Sequence, residues 1–263
     1  MTTATPVMPT AFIGHGSPMN ALERNRHTSA WQAYGRTLTK PRAVLAISAH
    51  WYIPGVAVTA MPKPRTIHDF GGFPAALHAF DYPAPGDPAL ALRVQSMLSP
   101  LAVQLDEQWG LDHGTWSVLT HVFPDADVPV VQLAIDRTKP PQFHYDLGRR
   151  LAPLRDEGVL ILGLGNVVHN LGQIQWGGQS EPMPWAAQFN DAVRSYVQAG
   201  DHGPLINYES MGEMARLSVP TPEHYLPLLY VIGAQQESDR IMTVTDGLEL
   251  GSISMLSWTT AKN

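Results

Sequence analysis

Cysteine is absent from the 263 residues of this chain. Disulfide bonds and thiolate metal ligands are therefore excluded, and any metal ion would have to bind to histidine, aspartate or glutamate. The chain also lacks a block of Lys or Arg, and its formal net charge is -6. Nucleic acids and anionic membranes attract basic surfaces, so we expect neither as a partner and predict small-molecule partners instead.

Long apolar segments are also lacking. The longest apolar runs have the length of strands, well short of the roughly 20 residues that a membrane-spanning helix needs. The first ten residues, MTTATPVMPT, have neither the basic region nor the apolar core of a signal peptide. We therefore expect a cytoplasmic protein. With 44% hydrophobic residues and no evident linker, residues 1–263 are predicted to form a single α/β domain.

Histidine, in contrast, is abundant, and three of the eleven histidines follow short apolar runs. These runs are predicted strands over residues 11–13, 43–48 and 159–164, followed by His15, His50 and His169. The carboxyl ends of parallel strands share one edge of a doubly wound sheet, which is where ligands bind. The three imidazoles are therefore expected to converge.

The remaining pattern alternates helices and strands around a glycine-rich loop at residues 66–74. Further strands are predicted over 55–60 and 128–134, and helices over 28–38, 88–98, 115–123, 143–154 and 184–199. A last long helix is expected to start at residues 221–222, and two tail strands over 241–244 and 252–259 are expected at the sheet edge. The predicted fold is a single-domain, doubly wound, mostly parallel sheet with flanking helices and antiparallel C-terminal edge strands.

Two more histidines lie near predicted helix starts. Asp112 is suited to cap one helix, and His113 beside it is either solvated or part of a site. Glu223 has an ordinary explanation, because carboxylates stabilise helix N-termini. His224 does not share that explanation, so it is either a buried hydrogen-bonded group or a metal ligand. The residues alone leave these alternatives open.

Six motifs occur in order along nearly the whole chain: HGSP at 15–18, SAHW at 48–51, HDFGGFP at 68–74, DHGTW at 112–116, GNVVHN at 165–170 and TPEHYLPL at 221–228. Together they resemble the class III extradiol ring-cleavage dioxygenases, and within that family the 4,5-DOPA dioxygenase branch. The resemblance implies an oxidoreductase that uses one divalent metal ion and O₂ to open the ring of a catechol, giving a muconic semialdehyde.

The resemblance also implies a ligand set. His15 and His50 correspond to metal ligands, and the third ligand position falls at Glu223 and His224, of which we favour His224. A site of three histidines is typical of zinc, whereas two histidines and a carboxylate are typical of oxygenase iron. We therefore expect Fe(II) for dioxygenase activity or Zn(II) as the bound ion.

Five further residues receive roles from the resemblance. His169 corresponds to the active-site base, with a pKa that can lie near neutrality, or to a fourth metal ligand. His113 is expected to hydrogen-bond oxygen during the reaction. Ser17, His68 and Asn166, which lie within the motifs, are expected to bind the substrate.

Two other functions fit the same residues. A zinc-dependent hydrolase would use the metal to acidify water, with His169 or Glu223 as the base. A catalytically silent zinc-binding protein could have the same fold, because a fold does not by itself determine a function. Oxygen consumption distinguishes the dioxygenase from both alternatives.

Overall fold

Ten strands are present in the computed structural model, which describes residues 6–177 and 180–262. They are β1 (Thr10–Gly14), β2 (Ala43–Ile53), β3 (Val56–Thr59), β4 (Val103–Asp106), β5 (Val130–Asp136), β6 (Val159–Gly165), β7 (Asp239–Thr245), β8 (Leu248–Glu249), β9 (Ile253–Ser254) and β10 (Ser257–Lys262). Within the same described ranges, the α-helices are α1 (Arg26–Thr37), α2 (Ala75–His78), α3 (Pro88–Met97), α4 (His113–Val122), α5 (Pro141–Leu151), α6 (Pro184–Ala199), α7 (His202–Ile206), α8 (Glu213–Ser218) and α9 (Leu226–Gly233).

Eight of the strands form one sheet in the order β4-β3-β5-β2-β6-β1-β10-β7. The four central strands β5, β2, β6 and β1 are parallel, while β10 pairs antiparallel with β1 and β7 antiparallel with β10. Strands β8 and β9 form a separate antiparallel pair. The predicted mostly parallel sheet with antiparallel C-terminal edge strands is therefore confirmed.

Helices cover both faces of the sheet, which explains why β1, β5 and β6 are buried along their whole length. One face packs against α1 and α4 through Trp31 and Trp116, and Leu160 of β6 points to this side. The next residue, Ile161, points to the opposite face, where α5 and α9 pack. Each such fully buried side chain stabilises the fold by roughly 1.5–3 kcal/mol.

Strand β2 is longer than predicted. It continues to Ile53, so His50 lies within the strand and not beyond its end. Pairing of β2 with β6 nevertheless stops at Ser48, and its register with β5 shifts between Ile47 and Tyr52. The prediction of a strand end at Ser48 was wrong because the apolar and aromatic residues after His50 keep the chain extended. His50 still lies where the regular ladder is interrupted.

The C-terminal third also differs from the prediction. The expected long helix is divided into a 3₁₀ helix, Pro222–His224, and the fully buried α9. Thr221 does not cap this segment through its side chain. The strand expected over 252–259 is likewise divided into β9 and β10. Among the described residues, none of the helices combines the length and hydropathy that crossing a bilayer requires.

Candidate metal centre

Five histidines from separate parts of the chain meet at the carboxyl edge of the central strands. We call them the histidine cluster: His15 directly after β1, His50 in β2, His113 at the start of α4, His169 after β6 and His224 at the end of the 3₁₀ helix. The ring centroids of His15 and His50 lie 5.1 Å apart, those of His15 and His224 5.5 Å, and those of His50 and His224 5.1 Å. The expected convergence of His15, His50 and His169 therefore extends to two further rings.

Two glycines make this convergence possible by leaving room where a side chain would collide. A Cβ atom on Gly114 would lie 2.8 Å from Cδ2 of His50. A Cβ atom on Gly165 would lie 2.1 Å from the carbonyl oxygen of His224. Any larger residue at either position would displace one of the rings, because backbone and packed rings cannot shift that far at low cost.

Acceptor oxygens close to Nδ1 set the tautomers of three rings. His15 Nδ1 lies 3.0 Å from the carbonyl oxygen of Gly16. His50 Nδ1 lies 3.2 Å from Asp69 Oδ2, and His224 Nδ1 lies 3.2 Å from Glu223 Oε1. Carbonyl and carboxylate oxygens only accept hydrogen bonds, so each Nδ1 carries the proton and each Nε2 keeps a free lone pair.

The free Nε2 atoms fit a metal ion. Those of His15 and His50 lie 3.3 Å apart, and two nitrogens bound to one tetrahedral ion at about 2.1 Å lie about 3.4 Å apart. The Nε2 atom of His224 is buried and has no hydrogen-bond partner. Buried polar atoms are rarely left without a partner, so these nitrogens together are suited to hold a cation.

Lowered pKa values keep the rings of His15, His50, His169 and His224 neutral at pH 7, as metal ligands must be. Burial, followed by the charges of neighbouring histidines, lowers the pKa of His15 and of His224 well below the usual value. Burial and the charge of His113 lower the pKa of His50 to about 3, although Asp69 opposes this effect. The same two causes lower the pKa of His169 to about 4, so the expectation of a value near neutrality for His169 was wrong.

More donors are present than one ion needs. The ligand atoms of His15, His50 and His113 lie within 4.8 Å of one another, and so do those of a second group, His169, Glu223 and His224. The ring centroids of His50 and His113 are only 3.8 Å apart. The ring of His169 stacks on that of His224 with a centroid separation of 3.5 Å and an interplanar angle of 7°.

Asp69 is a site residue to which the sequence analysis gave no role. It lies in the predicted glycine-rich loop, and its carboxylate contacts Nδ1 of His50 and Nδ1 of His113. Burial would raise the pKa of Asp69, but the hydrogen bond and charges of His113 and the charge of His50 lower it to about 2. The HDFGGFP motif contained the available signal, since a carboxylate in a glycine-rich loop is unusually free to approach a site.

The structure decides whether His113, next to the capping residue Asp112, is solvated or part of the site. The Asp112 carboxylate accepts a hydrogen bond from the Thr115 backbone N–H and caps α4, as predicted. His113 is only 7% exposed, so the alternative of a solvated ring was wrong. Ser48 donates a further hydrogen bond to Asp112. Burial and the charge of Asp69 raise the pKa of Asp112 to about 6.

The predicted substrate-binding residues lie around the cluster. Ser17 is exposed, and its Oγ accepts a hydrogen bond from a backbone N–H of the following 3₁₀ turn. His68 donates from Nε2 to the carbonyl oxygen of Phe80 at 2.9 Å. Asn166 is buried and donates to the carbonyl oxygen of Ser254, which leaves its own Oδ1 without a partner. Contact of these three side chains with substrate remains a prediction.

The comparisons with known proteins bear on this arrangement. The family described as the catalytic LigB subunit of aromatic ring-opening dioxygenase matches residues 9–253. The chain belongs to the LigB family. This membership confirms the resemblance to extradiol ring-cleavage dioxygenases that the six motifs indicated.

Individual LigB-family relatives agree with the match. A 4,5-DOPA dioxygenase extradiol of Escherichia coli (strain K12) is 53% identical over 95% of this chain and 93% of the relative. A 4,5-DOPA dioxygenase extradiol of Beta vulgaris is 36% identical over 95% of each chain. A crystal structure of an uncharacterized protein from Escherichia coli K12 superposes with a TM-score of 0.85 at 48% identity, covering 97% of this chain and 100% of that one.

Proposed function

We propose that this LigB-family chain is a metal-dependent extradiol dioxygenase that opens a DOPA-like catechol by 4,5-cleavage with O₂ and forms a muconic semialdehyde. The main support for the proposal is that the histidine cluster contains free Nε2 atoms. The Nε2 atoms of His15 and His50 have the separation expected for two ligands of one tetrahedral metal ion. The names of the relatives support the substrate class, because two of them are called 4,5-DOPA dioxygenase extradiol.

His15, His50 and His224 are the proposed ligands. Imidazoles on one tetrahedral ion have ring centroids about 5 Å apart, and these three rings are separated by 5.1–5.5 Å. The 3.8 Å separation between His50 and His113 is too short for two ligands of that kind. Glu223 then acts on the metal only through His224, to which it is hydrogen-bonded.

His169 is the proposed base and not a fourth ligand. A coordinating lone pair lies in the plane of its ring, and the rings of His169 and His224 lie in nearly parallel planes. An ion in the plane of His224 is therefore poorly placed for His169. Since the lowered pKa keeps His169 neutral at pH 7, a ring nitrogen is free to take a proton from a catechol hydroxyl.

Bound Fe(II) would supply open positions for catechol and O₂ and a path for electrons between them, which zinc cannot supply because it is redox-inactive. Beside the bound substrate, the backbone N–H of His113 donates to Asp69, and the His113 ring would hydrogen-bond a substrate oxygen. Phe70 meets the His113 ring edge-on at 5.6 Å. Its half-buried ring provides an apolar surface against which a catechol ring can pack.

Anaerobic reconstitution tests the proposal. Metal-free protein is loaded with Fe(II) or, as a control, with Zn(II), and each form is exposed to air with a panel of catechols that includes DOPA. We expect the Fe(II) form to consume one O₂ for each yellow ring-opened product and the Zn(II) form to consume none. Stoichiometric Fe(II) binding with no oxygen uptake for any catechol would overturn the dioxygenase proposal in favour of a hydrolase or a silent metal-binding protein.

A further inference from the structure

A single carboxylate connects two rings of the histidine cluster to the loop that carries the HDFGGFP motif. Asp69 Oδ2 lies 3.2 Å from Nδ1 of His50, and Asp69 Oδ1 lies 3.0 Å from Nδ1 of His113. Asp69 Oδ1 also accepts the backbone N–H of His113 at 3.0 Å. Each oxygen therefore faces one imidazole nitrogen, and Oδ1 in addition accepts a backbone hydrogen bond.

We propose that Asp69 is a positioning residue that fixes the tautomer and ring orientation of His50. A carboxylate oxygen 3.2 Å from Nδ1 favours a proton on that nitrogen, so the His50 ring presents the lone pair of Nε2 to the reaction space. His50 thereby becomes able to bind a metal ion through Nε2. The other carboxylate oxygen accepts the backbone N–H of His113 and so fixes Asp69 to the start of α4.

The surroundings of Asp69 show why the loop takes part in this arrangement. The neighbouring rings of His68 and Phe70 pack against Trp116 of α4 with centroid separations of 5.8 Å and 6.0 Å. The indole N–H of Trp116 donates to the backbone of the same loop. The loop is thus attached to α4 on both sides of Asp69, and the carboxylate has little freedom to leave the two imidazoles.

An amide at position 69 would break the arrangement in a defined way. Asparagine has one acceptor oxygen and one donor nitrogen. Since the backbone N–H of His113 donates to Oδ1, the amide oxygen would stay there and the NH₂ group would face His50 Nδ1. His50 would then favour the tautomer with its proton on Nε2, and this nitrogen cannot bind a metal ion while it carries the proton.

Glu223 offers a matched control. It accepts from His224 Nδ1 and from the Thr221 hydroxyl, and both bonds go to the same oxygen, Oε1. A glutamine can present its amide oxygen at that position and satisfy both donors. Glu223→Gln should therefore preserve the His224 tautomer, whereas Asp69→Asn should change that of His50, although both substitutions replace a carboxylate by an amide.

The experiment reads tautomers and metal affinity in metal-free protein, without turnover. Long-range ¹H–¹⁵N correlation spectra, assigned with His50→Ala and His113→Ala, report which nitrogen of each ring is protonated. Zn(II) affinity is measured by competition with a chromophoric chelator. We expect Asp69→Asn to move the His50 proton to Nε2 and weaken Zn(II) binding by roughly 10- to 100-fold. Glu223→Gln should leave the His224 tautomer unchanged and weaken Zn(II) binding less than Asp69→Asn does.

Asp69→Glu is the conservative variant, because it restores two acceptor oxygens, and we expect it to bind Zn(II) more tightly than Asp69→Asn. An Asp69→Asn protein with His50 still protonated on Nδ1, or equal weakening in the Asn and Glu variants, would overturn the inference. The inference about Asp69 rests on the proposed ligand role of His50, but the tautomer is measured without metal or substrate. Failure of the dioxygenase test would therefore be distinguishable from failure of this inference.

Discussion

The histidine cluster and the ion pair between Arg155 and Asp239 are both buried polar groups, yet they differ in how completely their hydrogen bonds are satisfied. The Arg155 and Asp239 side chains are 1% and 2% exposed and form two parallel hydrogen bonds of 2.6 Å and 2.8 Å. Arg155 also donates to the carbonyl oxygens of Met8 and Ala234. In the cluster, by contrast, Nε2 of His224 has no partner.

The difference separates a structural group from a binding group. A buried ion pair with saturated hydrogen bonds joins the N-terminal segment, the end of α9 and the start of β7, and has nothing left to offer a ligand. In the histidine cluster, His15, His50 and His224 each have an acceptor oxygen beside Nδ1, and Nε2 of His224 is buried without a partner. Substitutions in the histidine cluster should therefore change metal affinity and turnover, whereas substitutions in the ion pair should change the free energy of unfolding.

The largest effect on metal binding and turnover is expected when a proposed metal ligand is replaced. His15→Ala and His224→Ala should abolish stoichiometric metal binding and turnover, because loss of one of three ligands costs several kcal/mol of affinity. Glu223→Ala should still bind the metal, with an affinity reduced by roughly 10- to 100-fold, since it removes only a partner of His224. Elemental analysis after gel filtration checks both. Full metal content in His224→Ala together with loss in Glu223→Ala would assign the third position to the carboxylate.

A large effect on turnover alone is expected for His169. His169→Gln should lower kcat for catechol by roughly 10² to 10⁴, the usual contribution of a general base, with Fe(II) content unchanged. Steady-state oxygen uptake and iron analysis on the same samples provide the measurement. Parallel loss of iron and activity would instead make His169 a ligand.

For the ion pair we expect an effect on stability alone. Arg155→Met leaves Asp239 buried and unpaired, which should lower the free energy of unfolding by about 3–5 kcal/mol. Zn(II) affinity of the folded variant should match that of the parent protein. Denaturant unfolding and chelator competition measure the two quantities. The double variant Arg155→Met with Asp239→Leu serves as a control and should recover much of the loss, because no unpaired charge is then buried.

The smallest effect concerns His144, a fully buried histidine outside the cluster whose Nδ1 lies 2.9 Å from the Tyr230 hydroxyl. Burial lowers the pKa of His144 to about 4. His144 becomes protonated near pH 6.5 in the unfolded chain but only near pH 4 in the folded chain. The neutral, buried ring therefore contributes fully to the free energy of unfolding above pH 6.5, and this contribution is lost as pH falls towards 4.

The corresponding measurement is the free energy of unfolding of metal-free protein between pH 7 and pH 4. The parent protein should lose up to about 3 kcal/mol through His144 over this interval. His144→Gln should show a shallower decline, and its difference from the parent should shrink as pH falls. Parallel pH dependences in the two proteins would show that His144 does not titrate in this way.

Local patterns in the sequence were sufficient for much of the framework. Apolar runs bounded by glycine predicted β1 and β6 and placed His15 and His169 next to their carboxyl ends. The same reasoning ended β2 too early, because a histidine inside an irregular strand leaves no trace in apolar periodicity. It also merged the 3₁₀ helix Pro222–His224 with α9, since proline and a capping residue are equally suited to start either kind of helix.

What the sequence by itself determined is the chemistry available at one sheet edge: histidines without cysteine, glycines that allow close approach, and motifs that indicate a LigB-family enzyme. Only the tertiary structure decided which nitrogen of each ring is free. That choice depends on Asp69, Glu223 and the Gly16 carbonyl. His15 and His224 have an adjacent residue as the acceptor, whereas the acceptor of His50 comes from a loop distant in the sequence. A tautomer is set by the acceptor that lies within about 3 Å, and the folded conformation decides which ring nitrogen meets that acceptor.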